Sequence, residues 1–160
     1  MSYFLGIDTS NYTTSVAIYD SNKNICIAKR KLLDVAVGEK GLRQSDALFQ
    51  HIKQIHILVE QMMNEFQGEI SAVGVSSKPR NVQESYMPCF LAGISVAKSI
   101  AAVLKVPVFE FSHQSGHIAA ALFSVERLDL VGKDFFAFHI SGGTTELLFV
   151  TPDKQDVFKC

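Results

Sequence analysis

Ile7-Asp8-Thr9-Ser10, two further residues, Thr13-Thr14 and then Val16-Ala17-Ile18 form the stretch that decides the reading of this chain, because a second stretch follows the same plan. Ile140-Ser141-Gly142-Gly143 leads into Thr144-Thr145 and then Leu147-Leu148-Phe149. Each is a strand end, a tight turn of small hydroxyl or glycine residues, a Thr-Thr pair and a second strand. Short apolar runs around a polar turn predict a β-hairpin. Two hairpins of one design predict a duplicated unit; two unrelated hairpins are the plainer alternative. On the duplicated reading, residues 1–126 make a first lobe. Residues 134–160 make only the opening hairpin of a second, incomplete one.

Working outward, a third strand near 25–33 extends the first hairpin into a meander. Residues 43–66 read as a long helix, with Leu48, Ile52, Ile55, Val59, Met62 and Phe66 recurring at steps of three and four along one face. Gly41 and Gly68 bracket it. Residues 70–75 are a short buried strand. A second helix starts near Pro88 and runs to about Leu104, carrying Ala92, Gly93, Ser95, Ala97 and Ala101. Its nearly all-apolar surface predicts close, buried packing. Residues 106–109 are a strand, 117–124 helical, 125–134 a loop, and 135–140 with 145–150 the second hairpin. The predicted core is the 43–66 face with Val73, Val75, Leu91, Ile94, Ile100, Leu104 and Val108. Strands followed by helix–strand alternation predict an α/β layer fold. In the incomplete second lobe, Phe136, Phe138, Leu147 and Phe149 lack cover, so the hairpin is expected to pack on the first lobe or pair with a second copy as a homodimer.

The 160 residues suffice for one domain and part of another, and 48% hydrophobic residues suffice for a core. No apolar window reaches membrane-spanning length without charge, and the opening Met-Ser-Tyr-Phe-Leu-Gly-Ile-Asp reads as a strand rather than a leader. Cys26, Cys89 and Cys160 are odd in number and widely spaced, which predicts a reducing, cytoplasmic setting without a disulfide framework. A net charge of −1 gives no global sign of nucleic-acid binding; Lys29-Arg30-Lys31 reads as a solvated strand edge.

Two constellations carry chemistry. In the turns, small residues let backbone N–H groups approach phosphate oxygens, and Ser and Thr hydroxyls add donors. Asp8 can hold a metal ion there, directly or through water. Paired across a cleft, two such turns would clamp a nucleotide. The second constellation is His113-Gln114-Ser115-Gly116-His117, whose histidines at i and i+4 share a helix face and suit Zn²⁺ or Fe²⁺. A capping histidine at a helix start is the bland alternative. Gln114 stands where a His-Glu-x-x-His protease carries its base, so proteolysis is not expected. His51 and His56 read as surface or rim residues, and Lys78-Pro79-Arg80 as a basic loop.

These residues resemble the O-sialoglycoprotein endopeptidase or glycoprotease family (TsaD/Gcp), whose role is synthesis of tRNA N6-threonylcarbamoyladenosine. The resemblance runs through Gly6-Ile7-Asp8-Thr9-Ser10, both long helices, Val106-Pro107-Val108, the His113 to His117 motif and Ser141-Gly142-Gly143-Thr144-Thr145, in the family's order. It implies an actin/Hsp70-like fold of two RNase H-like lobes. It implies a divalent metal (Fe or Zn, with Mg alongside nucleotide) and ATP or threonylcarbamoyl-adenylate in the cleft. It implies tRNA and related non-catalytic subunits as partners, with no membrane. His113 and His117 match the metal-ligating pair. His139, Ile140, Ser141, Gly142, Gly143 and Thr144 fall on the substrate-phosphate loop, with Thr9 and Ser10 on the first-lobe turn, where Asp8 matches the acidic, catalytic position. The third metal ligand, an aspartate far into the second lobe, is absent here.

The sequence also departs from the family. Ser10-Asn11-Tyr12-Thr13-Thr14 lacks its acidic pair, Lys78-Pro79-Arg80-Asn81 replaces Gly-Pro-Gly, and Thr144 replaces a histidine. A divergent paralogue with an altered substrate is one implication. A non-catalytic partner of the same fold and a sugar- or acetate-kinase-like lobe are the rival readings; the histidine pair disfavours both. The chain is expected to fold, to bind ATP poorly and to catalyse nothing alone.

Overall fold

Strand β1 (Tyr3–Asp8) runs antiparallel to β2 (Thr13–Asp20), which runs antiparallel to β3 (Ile25–Leu32), so the first hairpin and its meander form as expected. A computed structural model describes residues 2–38, 41–140, 145–154 and 156–160. The chain divides into two compact units, Met1–Ser77 with Tyr86–Glu110, and Lys78–Ser85 with Phe111–Cys160.

In the first unit β4 (Ile70–Lys78) lies parallel to β1, and with β5 (Val108–Ser112) completes a five-stranded sheet of order β3-β2-β1-β4-β5. Strand alternation and register put Leu5, Ile7, Val16, Ile18, Val73 and Val75 on one face. Helices α1 (Gln44–Glu65) and α2 (Phe90–Leu104) cover it with Ile55, Leu58, Met62, Ala97 and Ala101. A parallel strand next to β1 requires a crossover, and α1 supplies it.

Each helix keeps part of its predicted face and changes the rest: Ile55 and Met62 of α1 are buried, and Val59 and Phe66 pack against the core, as expected. The buried stripe of α1 is Ala47, His51, Gln54, Ile55, Leu58 and Met62, while Ile52 is 54% exposed. Apolar residues lie on both flanks of this helix, so its sequence permits more than one stripe. The polar anchors His51 and Gln54, both bonded to Thr14, select the one observed. In α2 the small residues Ala92, Gly93, Ala97 and Ala101 face inward, and Leu91 and Leu104 turn out to solvent. Small side chains let the helix axis approach the sheet, a gain the large residues would forfeit. Ile94, Ile100 and Val108 pack partly buried against the core, as expected.

In the second unit α3 (His113–Ser124) starts four residues earlier than predicted, because the Ser112 hydroxyl accepts the Ser115 N–H and caps it. Strand β6 (Phe135–Ile140) pairs antiparallel with β7 (Thr145–Asp153), and a short β8 (Val157–Lys159) adds a third strand. Ile118 and Leu122 of α3 pack with Val150, Phe158, Phe135, Ala137 and Leu148. The opposite face of the hairpin, Phe136, Phe138, Ile140, Leu147 and Phe149, is exposed. Among the described residues no helix is long and apolar enough to cross a membrane.

Candidate functional site

In the first unit, Asp8 ends β1 and its carboxylate organises the following turn. Oδ1 accepts the Ser10 N–H at 2.7 Å, and Oδ2 accepts the Ser76 hydroxyl at the end of β4. Both donors fix the orientation of the carboxylate. The Thr13 N–H donates to the Ser10 carbonyl at 3.2 Å, and Asn11 takes the left-handed region at φ 44°, which closes the turn tightly. Thr9 is fully buried: its hydroxyl donates to the Cys89 carbonyl at 2.9 Å and accepts the Gly93 N–H at 3.1 Å. Its side chain therefore docks α2. Ser10 is 8% exposed.

Behind this turn is a polar network that sequence reading missed. His51, expected on the surface, is fully buried in α1. Thr14 Oγ1 lies 2.8 Å from His51 Nδ1 and donates to Gln54 Oε1 at 3.3 Å, and Gln54 Nε2 donates to the Leu32 carbonyl. His51 Nε2 is buried and makes no hydrogen bond of good geometry among the described residues. Burial lowers the His51 pKa from 6.5, opposed by the Asn11 backbone and the Asp8 charge. The signal available in the sequence was the spacing of His51, Ile55, Leu58 and Met62, itself a helical stripe.

In the second unit, His113 and His117 meet as their spacing implied: Nε2 to Nε2 is 2.8 Å and the ring centroids are 4.2 Å apart. The capped first turn of α3 fixes them. Ser112 N–H donates to the buried Asp156 carboxylate, and Gln114 N–H donates to the Pro79 carbonyl at 3.0 Å. Asp156 was not foreseen; it lies outside every motif. His139, on β6, has its ring 6.3 Å from that of His117, and its Nδ1 is 3.4 Å from Glu146 Oε2. Arg80 of the basic loop reaches Glu146 at 3.1 and 3.4 Å. Ile140 points outward at 73% exposure. The expected phosphate-loop positions Ser141, Gly142, Gly143 and Thr144 lie outside the described residues. Cys26 and Cys160 are exposed free thiols, while Cys89 is buried, which pushes its thiol pKa up.

The pair fits a transition-metal ion. Nitrogens bound cis at about 2.0–2.1 Å to one ion stand roughly 3 Å apart, close to the observed separation. Among the described residues no three His, Cys, Asp or Glu side chains already form a metal-holding group.

The mixed five-stranded sheet flanked by helices has an actin/Hsp70-like fold, shared with similar solved structures. YeaZ from Pseudomonas aeruginosa matches with TM-score 0.55 at 15% identity, over 96% of this chain and 70% of that one. The ethanolamine utilization protein EutJ from Carboxydothermus hydrogenoformans matches at TM-score 0.52 and 15% identity, over 100% of this chain and 50% of its own. An inorganic polyphosphate/ATP-glucomannokinase from Arthrobacter sp. strain KM matches at TM-score 0.52 and 16% identity, over 94% and 59%.

Within that class the chain belongs to the TsaD family, tRNA N6-adenosine threonylcarbamoyltransferase, whose family model matches residues 24–159. The threonylcarbamoyltransferase of Aromatoleum aromaticum is 31% identical over 153 residues, 92% of this chain and 42% of that protein. That of Nostoc punctiforme is 29% identical, over 94% and 42%. The chain spans about two fifths of the length of the curated relatives it matches.

Proposed function

We propose that the chain supplies part of a metal-dependent transferase that moves a threonylcarbamoyl group from threonylcarbamoyl-adenylate to N6 of a tRNA adenosine. The observation that carries this reading is the convergence of His113 Nε2 and His117 Nε2 at 2.8 Å on the capped first turn of α3, in a chain of this family. In the reaction the adenine N6 attacks the carbamoyl carbon, the N–C bond forms, the C–O bond to the adenylate phosphate breaks, and AMP leaves while N6 loses a proton. Bound at the two histidines, a divalent Fe or Zn ion would act as a Lewis acid on the phosphate or carbonyl oxygen. Each imidazole presents Nε2 to it from a helix turn held by Ser112 and Asp156.

Asp8 is the candidate catalytic carboxylate of the first unit. Ser76 and the Ser10 amide orient it, and it would serve as a general base or hold a Mg²⁺–nucleotide complex directly or through water. The resemblance puts Thr9 and Ser10 on the first-lobe turn beside the nucleotide and residues 139–144 on the family's second phosphate loop. ATP or the adenylate is the proposed ligand, tRNA the acceptor, related non-catalytic subunits the partners, and the cytoplasm the setting.

Zinc and iron titration of the chain, with His113→Ala and His117→Ala beside it, tests the metal pair. Loss of tight binding in both variants is expected; retention in both overturns the reading. A threonylcarbamoyl-transfer assay on tRNA with threonylcarbamoyl-adenylate, comparing wild type with Asp8→Asn in the longest natural form of the protein, tests the reaction.

A further inference from the structure

We propose that His51 and Thr14 are positioning residues for the transfer reaction: together they brace the turn at residues 9–14 from behind and so fix the aim of Asp8. The proposal rests on the reading of Asp8 as the catalytic carboxylate and deepens it; both residues act through Asp8.

Helix α1 buries polar groups at one level only. Its inward stripe is Ala47, His51, Gln54, Ile55, Leu58 and Met62, apolar except at His51 and Gln54. These two are 0% and 6% exposed. Burying an imidazole and a carboxamide costs stability unless each finds partners. The partner both share is Thr14, at the start of β2 directly behind the turn.

Thr14 is itself fully buried, and its hydroxyl lies 2.8 Å from His51 Nδ1 and 3.3 Å from Gln54 Oε1. Gln54 Nε2 continues the network to the Leu32 carbonyl at 3.4 Å. The next N–H, that of Leu33, donates to the Tyr12 carbonyl in the turn at 2.8 Å. The far end of the turn is thus tied to α1 and to the end of β3. Its near end is tied to α2 through Thr9, and to β4 through the bond of Asp8 with Ser76. Buried polar networks of this kind select one arrangement among several of similar packing.

Register carries the effect to the carboxylate. Asp8 pairs with Ser15, the residue after Thr14, so a shift of the Thr14 backbone passes across the ladder to Asp8. Between them Asn11 holds φ 44°, a left-handed conformation that persists where its surroundings enforce it. The imidazole is at its back: burial lowers the His51 pKa, and the Asn11 backbone and the Asp8 charge oppose that, which puts both within electrostatic reach of the ring.

Thr14→Val is the probe, because it keeps the shape and removes the hydroxyl; Thr14→Ser keeps the hydroxyl. Single-turnover transfer from threonylcarbamoyl-adenylate to tRNA is followed in the longest natural form of the protein, with wild-type Asp8 and with Asp8→Asn. Circular dichroism identifies the folded variants. Thr14→Val and His51→Phe are expected to slow transfer more than about 10-fold, and Thr14→Ser to recover most of the rate. In the Asp8→Asn background Thr14→Val is expected to cost less than about 2-fold further, since a residue that acts through Asp8 then has nothing to aim. A merely structural role would cost the same factor in both backgrounds. On the 160-residue chain, amide NMR of folded Thr14→Val is expected to shift Ser10, Asn11 and Thr13. Equal factors in the two backgrounds, a folded Thr14→Val enzyme at the wild-type rate, or unmoved turn amides overturn the proposal and leave the Asp8 reading standing. An Asp8→Asn enzyme at the wild-type rate, or a wild type inert in the assay, overturns both.

Discussion

Gly93 on α2 stands against Thr9 on the first turn: its N–H donates to Thr9 Oγ1 at 3.1 Å, and a Cβ at position 93 would sit 2.9 Å from that oxygen. Thr9 is short, buried and bonded also to the Cys89 carbonyl, so it has nowhere to retreat. Gly93→Ala is therefore expected to destabilise the chain by about 1–3 kcal/mol through overpacking, although alanine is the better helix former. Gly116, between the two histidines of α3, has nothing within 4 Å of its would-be Cβ. Gly116→Ala is expected to stabilise by up to ~1 kcal/mol. Urea unfolding of both variants checks the pair; equal effects would refute this account of helix–turn packing.

The exposure of Ile52, expected on the core face of α1, yields a second test. Leu58→Ala and Ile55→Ala remove side chains that are 5% and 2% exposed and should cost about 2–5 kcal/mol each. Ile52→Ala removes a half-exposed side chain and should stay within about 1 kcal/mol. A large loss at Ile52 in thermal melts would restore the predicted stripe and reject the observed one.

Burial of His51 makes stability depend on pH in a stated direction. Its folded pKa lies below the 6.5 of the unfolded chain, so the unfolded state binds the extra proton first. Stability from this residue is complete above about pH 6.5 and is lost as pH falls toward the lowered folded value. His51→Gln, which keeps a polar group near Thr14, should flatten the curve of unfolding free energy below about pH 6.5 relative to wild type. A variant and wild type with parallel curves over that window would contradict the buried, neutral imidazole.

The outer face of the β6–β7 hairpin presents Phe136, Phe138, Ile140, Leu147 and Phe149 to solvent, each more than half exposed. A contiguous apolar surface of this kind promotes association. Light scattering coupled to size exclusion should show mass rising with concentration, and Phe138→Lys with Leu147→Lys should suppress that rise. A wild type that stays monomeric at millimolar concentration would show that the face is tolerated bare.

Much of this protein was determined by local sequence. Alternation around Asp8 to Thr14 and around Ile140 to Thr145 predicted both hairpins, since a strand's period of two is written directly in neighbouring residues. The i, i+4 spacing of His113 and His117 brought their rings together, because a helix turn fixes that relationship without outside help. Only tertiary structure decided what depends on distant partners. His51 went inward because Thr14, thirty-seven residues away, offers it a hydroxyl, so that α1 buries this polar residue beside the expected Ile55 and Met62. Glu146 became the neighbour of His139 through strand register, and of Arg80 across sixty-six residues. Asp156 anchored the first turn of α3 from beyond β7. Sequence periodicity reports which faces can be buried; the choice among them belongs to hydrogen-bond partners that meet only once the chain has folded.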